Sequence, residues 1–235
     1  RSFHTDRSAH LKQIFVGWRI KTQQPCFKRN TVLLMDFQQN SEQLTTFFYI
    51  LPYSENEALI EYTVFTTQEL DYKKMEPAIA EYISTSLGQK NFEILFKEEG
   101  SIPMTTFAAS NVISQKITHL GTIAGCSKPS TGYTFHNIQK HCKSIVENLE
   151  NAASNEKGIW SRKLRYAFYD NIILNIAKKW PKALPNVFFN LFETNPGAEI
   201  LRFLNEETRF INELKILSKL KFPIFVKSLF HYEKH

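Results

Sequence analysis

Three apolar segments between residues 31 and 65 constrain the fold most strongly, because only short polar stretches separate them. Residues 31–37, 46–52 and 58–65 are rich in aromatic and β-branched side chains, which favour strands. Short connections join antiparallel strands, whereas parallel strands need a long crossover. The sequence therefore predicts an antiparallel sheet in this region.

The flanking segments extend the β-rich region to residues 1–115. Residues 14–20 read as a further β-rich run, and residues 91–97 alternate as a strand that Gly100 to Met104 punctuates. Apolar residues also recur at spacings of three and four, which predicts one helix: Met75, Ile79, Tyr82, Ile83 and Leu87.

A loop of small residues at 119–135 precedes a second amphipathic helix pattern. It holds three of the chain's eight glycines, Gly121, Gly125 and Gly132. Glycine lets the backbone approach a ligand, and the free N–H groups at a helix start favour an anion. The loop is therefore a candidate cofactor cradle, although most loops of this composition are only turns.

Residues 154–235 predict an all-helical region, separated from the loop and helix at 116–153 by a polar break at 155–158. The formal net charge is +6, and the densest basic clusters lie in this region among aromatic residues. A solvated helical face and an anionic membrane surface are both compatible with that pattern. We expect no nucleic-acid partner, since no such motif is present.

Several classes of site are not expected. Cys26, Cys126 and Cys142 have no paired spacing, so neither a zinc ribbon nor a disulfide framework is predicted, and a reducing compartment fits. The seven histidines show no metal-binding spacing, so we expect no metal site. Neither a signal peptide nor an apolar run long enough to span a membrane is visible.

Three side chains are candidates for chemistry, and one of them, Asp36 near the end of its strand, is otherwise a strand-end or turn acid. Glu61 stands inside an apolar strand, and alternation places it with Leu59 and Thr63, opposite Tyr62. It faces either water or an apolar cavity, and in a cavity desolvation would raise its pKa and make it a general acid. Trp18 is either a core side chain or an aromatic wall that stabilises a cation.

Four blocks of sequence, in this order and spacing, resemble the lycopene cyclase family. They are Phe-Val-Gly-Trp-Arg-Ile-Lys-Thr at 15–22, Leu-Met-Asp-Phe at 34–37, the strands at 48–65 that contain Leu-Ile-Glu-Tyr-Thr, and Ile-Pro-Met-Thr at 102–105 followed by the loop at 121–135. The resemblance covers roughly residues 10–150.

The resemblance implies an α+β fold. A mostly antiparallel substrate domain would be followed by a flavin-contacting loop and helix, as part of a glutathione-reductase-type FAD fold, and by the helical region. It implies a lycopene beta-cyclase reaction, an isomerase-type ring closure of linear lycopene ends to β-ionone rings without net redox change. The implied cofactor is reduced FAD, with NAD(P)H as the source of reducing equivalents.

The resemblance also implies roles for individual residues. Glu61 matches the acidic strand motif and would act in acid–base catalysis. Trp18, Tyr62 and Tyr133 would line the substrate. The flavin-contacting segment carries over to Gly121, Thr122, Ala124, Gly125, Pro129, Thr131 and Gly132. Related flavoproteins often have Asp where this chain has Thr122.

Family members begin with a strand, a Gly-rich loop and a helix that hold the ADP half of FAD, and this chain shows no such fingerprint. We therefore expect a C-terminal portion of a cyclase, located in the cytoplasm and peripheral on the inner face of the cell membrane, from which it draws a linear carotenoid. The alternatives are another FAD-dependent oxidoreductase, such as a monooxygenase or a carotenoid desaturase, and an inactive lipid-binding remnant. The sequence leaves the oligomeric state open.

Overall fold

A computed structural model describes residues 10–37, 44–107, 112–114, 117–150 and 162–235. The chain divides into two compact units, Arg1–Ile102 and Pro103–His235. The first combines an antiparallel sheet with one helix and the second is mostly helical, which confirms the predicted α+β class. The division precedes the boundary expected at residue 115, and the polar break at 155–158 lies outside the described residues.

The first unit is built on a five-stranded sheet. Its strands, in chain order, are β1 Lys12–Thr22, β2 Leu33–Phe37, β3 Thr45–Pro52, β4 Glu57–Thr66 and β5 Phe92–Pro103. They are arranged in the order β2-β3-β4-β1-β5. β4 pairs antiparallel with β3 on one side and with β1 on the other, so it is a central strand. Tight turns such as the one after Pro52 permit this pairing, as predicted.

Helix α1, Tyr72–Thr85, covers one face of the sheet. It begins where the Asp71 carboxylate accepts a hydrogen bond from the backbone N–H of Lys73 at 3.0 Å, which satisfies a free donor of the first turn. Its apolar stripe is buried against the sheet, through Met75, Ile79, Tyr82 and Ile83. Burial of each such side chain contributes about 2 kcal/mol, so this face is the core of the first unit.

Strand β5 is longer than the sequence predicted. The expected end near Lys97 is wrong, because β5 continues through Gly100 to Pro103 at the edge of the sheet. A Cβ atom on Gly100 would lie 2.6 Å from Cζ of Phe15 on the neighbouring strand. Gly100 therefore makes room for an aromatic ring, which is a recognised use of glycine within a strand.

The described residues of the second unit form one antiparallel strand pair and six α-helices. The strand pair is β6 Val112–Ser114 with β7 Ile117–Thr118. The helices are α2 Phe135–Glu150, α3 Leu164–Lys179, α4 Leu184–Glu193, α5 Gly197–Leu204, α6 Phe210–Ser218 and α7 Phe222–Phe230. Prolines begin or separate the short helices, as predicted, because proline lacks the donor that a helix interior needs.

Candidate functional site

The face of the sheet that α1 does not cover carries the predicted acid. Along β4, Ala58, Ile60 and Val64 belong to the core under α1. Alternation along the strand places Glu61 and Thr63 on the opposite face. The alternation expected from sequence is therefore observed.

This opposite face is mostly aromatic at the β2–β3 side. The buried Phe47 ring meets the rings of Phe37, Tyr49 and Phe65, each with a centroid separation of 5.3 Å and an edge-on geometry. Tyr49 is the register partner of Glu61. Glu61 therefore stands beside a buried aromatic cluster that makes its surroundings apolar.

The Glu61 carboxyl is half-buried and its pKa is raised to about 7. Desolvation by burial is the main cause, the Thr63 hydroxyl that donates to Oε1 at 2.7 Å opposes it, and the nearby Glu98 charge raises it further. Among the described residues, no cation forms an ion pair with Glu61 that would lower its pKa. The only arginine of β1, Arg19, binds Glu57 instead and stacks over the Tyr53 ring at 4.5 Å.

Trp18 and Tyr62, predicted to line the substrate, lie on the other face of the sheet from Glu61. Trp18 is buried in the core under α1, with its ring 6.4 Å from that of Phe92 and the Lys97 ammonium 4.8 Å from its centre. Tyr62 packs there against Phe48 at 4.9 Å. The structure does not bring these two rings together with Glu61, because strand positions of opposite parity face opposite sides.

The predicted cofactor loop forms a compact turn before α2. A 3-10 helix covers Gly121–Ala124, and φ is 68° at Gly121, 74° at Gly125 and 74° at Gly132. Only glycine takes these values without strain, so the glycines determine the loop's path. Inside it, the Ser127 hydroxyl links those of Thr122 and Thr134 at 2.9 and 2.8 Å.

The seven predicted flavin-contacting residues differ in accessibility. Gly121 and Gly125 are half-exposed and Thr122 is exposed. The other four are buried, namely Ala124, Pro129, Thr131 and Gly132. Tyr133, the third predicted substrate residue, is half-exposed in the same loop. Three glycines at positive φ before the N-terminus of a 16-residue helix fit the backbone cradle that a flavin or its phosphates would need.

A buried ion cluster that the sequence did not predict anchors this loop. The Lys128 ammonium lies 3.0 Å from Asp170 of α3 and 3.2 Å from Glu206, and the Ser130 hydroxyl donates to Asp170 at 2.5 Å. Arg162 binds both carboxylates. Burial alone would raise the pKa of Asp170, but the two cations and the Ser130 hydroxyl hold it below its usual value.

One sequence signal marks this cluster in retrospect. Asp170 interrupts the apolar stretch of α3, where an unpaired charge would be costly. Glu206 gives no such signal, because only the structure shows that it follows α5 with φ 62°, a position where glycine is usual. The cluster itself joins residues far apart in sequence, so spacing alone could not reveal it.

The sequence of the chain decides its family. Residues 3–230 match the family described as lycopene cyclase protein. The chain belongs to the lycopene cyclase family. The match includes the Glu61 strand, the loop and nearly all of the helical region, whereas the motifs in the sequence covered only residues up to about 150.

Solved structures place this lycopene cyclase family member in a known fold. A geranylgeranyl bacteriochlorophyll reductase-like protein from Thermoplasma acidophilum shares 12% identity and a TM-score of 0.58, covering 95% of this chain and 55% of that protein. A triple mutant of the flavin-dependent brominase Bmp2 shares 13% identity and a TM-score of 0.46, covering 94% and 55%. The chain thus spans about half the length of these proteins. Among curated protein sequences, none matches this chain.

The described residues also enclose a cavity among the helices of the second unit. It has a volume of about 250 Å³ and lies among α3 to α7, with apolar walls and with Lys128, Ser130 and Asp170 at its margin. None of the residues predicted to be functional lines it. Within the described ranges, no group of three His, Cys, Asp or Glu side chains is placed to hold a metal ion, and no helix has the length and apolarity to cross a bilayer.

The ion cluster predicts the effect of removing one charge. Asp170→Asn leaves Lys128 and Arg162 with a single carboxylate partner, so we expect a loss of about 3 kcal/mol in the free energy of unfolding. Urea denaturation followed by circular dichroism measures it. Glu193→Gln, at an exposed position of α4, should change the value by less than about 0.5 kcal/mol. An equal, small effect of both substitutions would contradict the role of the cluster.

Proposed function

We propose that this chain carries the substrate-side acid of a lycopene cyclase, with Glu61 as the proton donor that starts ring closure. The observation that supports the proposal is the raised pKa of Glu61 in its apolar surroundings. Its pKa of about 7 leaves much of it protonated near neutral pH, and it stands beside an aromatic cluster. A neutral carboxylic acid in an apolar setting can protonate an alkene, as an ionised one cannot.

The reaction follows from that acid. The Glu61 proton forms a C–H bond with the π electrons of a terminal double bond and leaves a carbocation on the neighbouring carbon. The π electrons of a second double bond then close the ring by forming a C–C bond. Loss of a ring proton forms the ring alkene. One proton enters and one leaves, so the reaction involves no net oxidation.

The face of the sheet supports these steps in two ways. The buried Phe47 cluster makes the surroundings of Glu61 apolar, and this would keep away the water that would otherwise trap the cation as an alcohol. The ring faces of Phe and Tyr side chains also stabilise positive charge. Thr63 holds the Glu61 carboxyl by its hydrogen bond, which fixes the direction of the acid.

The loop is the proposed flavin site, where the accessible Gly121, Thr122 and Gly125 would hold the cofactor. In reduced form, a flavin would supply negative charge, which stabilises cations close to it. The buried residues of the loop keep the turn in shape, and the α2 N-terminus offers its partial positive charge. NAD(P)H as the reductant belongs to the same proposal.

The acid is tested by a single substitution. Expression of the complete reading frame in a lycopene-accumulating host should yield a cyclic carotenoid, measured by chromatography. Glu61→Gln keeps the shape of the side chain but removes the proton, so we expect the product to fall by roughly 100-fold or more. Glu93→Gln, at an exposed position of β5, is the matched control and should retain activity. Wild-type yield from Glu61→Gln would show that the acid lies elsewhere.

We further propose that α6 and α7 bind a membrane surface, from which a linear carotenoid can be drawn. Their exposed side chains include Phe210, Ile211 and Leu214 on α6 and Phe222, Val226 and Phe230 on α7. Exposed lysines accompany them at positions 215, 219, 221 and 227. Apolar side chains rimmed by lysines are typical of helices that lie in the interface of an anionic bilayer.

Vesicle sedimentation tests this surface. The chain should sediment with phosphatidylcholine vesicles that contain phosphatidylglycerol, and less so as salt is added, because salt screens the lysines. Ile211→Asp with Phe222→Asp should abolish sedimentation. Leu164→Asp changes an exposed leucine outside these helices and should leave it intact. Equal binding by both variants would exclude α6 and α7 as the contact.

A further inference from the structure

A second carboxylate stands beside Glu61, on the far side of β1. In the β1–β4 register, Glu61 lies opposite Gly17. The Glu98 side chain, from β5 on the other side of β1, lies over that same glycine. Glu61 and Glu98 therefore flank Gly17 on two strands that are separated only by β1.

Gly17 provides the space that Glu98 occupies. A Cβ atom at Gly17 would lie 2.8 Å from Cγ of Glu98, closer than real Cβ atoms approach other atoms, and 3.0 Å from its Oε1. The half-buried Glu98 side chain therefore lies over β1, the strand that separates it from Glu61. The α-carbons of Glu61 and Glu98 are two strand spacings apart, roughly 10 Å, which two glutamate side chains can bridge.

We propose that Glu61 and Glu98 share one proton and that Glu98 is the base that takes the ring proton in the cyclisation. This inference rests on the proposed function. Glu61 gives its proton to the alkene and becomes a carboxylate. The C–H electrons of the ring form the new double bond as the proton passes to an oxygen of Glu98. Transfer of that proton from Glu98 to Glu61 restores the starting state.

The charged and polar neighbours of Glu61 and Glu98 are consistent with a shared proton. Thr63 donates to Glu61, and Tyr49 faces it from β3. Arg19 lies on the same face of β1 but binds Glu57. Within the described part of the sheet, neither carboxylate is thus paired with a cation. Burial raises the pKa of Glu98 as well, and the charge of Glu98 adds to the shift of Glu61. Two such carboxylates favour holding a single proton between them.

The charge states of the pair also explain the two roles. A donor must be protonated and an acceptor ionised, and one proton between two carboxyls meets both conditions over a limited pH range. Activity should therefore rise and fall with pH, with the two limbs belonging to the pair. Glu99, the next residue along β5, is exposed and supplies a control of the same charge.

The experiment compares wild type with Glu98→Gln, Gly17→Ala and Glu99→Gln, measuring cyclisation against pH and the carboxyl titration of Glu61 by ¹³C NMR. Glu98→Gln should lower cyclisation by roughly 100-fold. It should also lower the pKa of Glu61, because a neighbouring negative charge no longer opposes ionisation. Gly17→Ala keeps both carboxyls but displaces Glu98, so the pKa of Glu61 should fall there too. Glu99→Gln should change neither quantity.

Each outcome decides a separate claim. Unchanged titration of Glu61 in Glu98→Gln would overturn the shared proton, even if activity fell. Wild-type cyclisation by Glu98→Gln would overturn its role as base. If wild type titrates as a coupled pair but makes no cyclic carotenoid, the proposed function is wrong and with it the role of Glu98 as base, whereas the shared proton stands.

Discussion

The cost of placing a carboxyl group in apolar surroundings without a cation is the constraint on which the Glu61 face of the sheet depends. Glu61 lies in a central strand, so its backbone is fixed by partners on both sides and its side chain cannot turn to the α1 face. On its own face of the sheet, Arg19 is held by Glu57 and Tyr53, and no described residue forms an ion pair with Glu61. For such a group, the protonated state has a lower free energy, relative to the ionised state, than it has in water.

Asp170 shows the opposite solution within the same chain. It is more deeply buried than Glu61, yet its pKa is lowered, because Lys128 and Arg162 surround it. The difference is one of partners rather than burial. A carboxylate that anchors a loop needs to stay charged, whereas one that donates a proton needs to stay neutral. Asp170 therefore has the cationic partners that an anchoring carboxylate needs, and the surroundings of Glu61 suit the proton donor that we propose.

Local patterns were enough to predict the sheet and the face of Glu61. Alternation along residues 58–65 separates Glu61 from Tyr62, and short connections make the strands antiparallel. Family resemblance named Trp18 as a substrate residue, but its register partner Ile60 lies in the core under α1. A residue's place within a motif does not specify its face, and strand parity does. The motif residues of the loop show the same limit, since four of the seven are buried.

The remaining features depend on contacts between distant parts of the sequence. The hydrogen bond from Ser130 to Asp170 joins residues that are 40 positions apart in the sequence. The close approach of Glu98 to Gly17 joins β5 to β1, which are separated in the sequence by β2, β3, β4 and α1. The spacing of charged residues in the sequence reveals neither contact, because the partners come from separate segments and form no motif with each other. Gly100 is a similar case. The sequence suggested that it interrupts a strand, whereas in the structure it makes room for the Phe15 ring. Such close approaches become visible only once neighbouring strands are in register.

The protonation state of Glu61 is the central claim, and infrared difference spectroscopy measures it directly. The difference between wild type and Glu61→Gln isolates the carbonyl band of one protonated carboxyl group. Because burial raises the pKa of Glu61 to about 7, the band should persist above pH 6 and disappear only as the pH passes that value. A band that is lost near pH 4.5, the ordinary value for a glutamate, would contradict the claim.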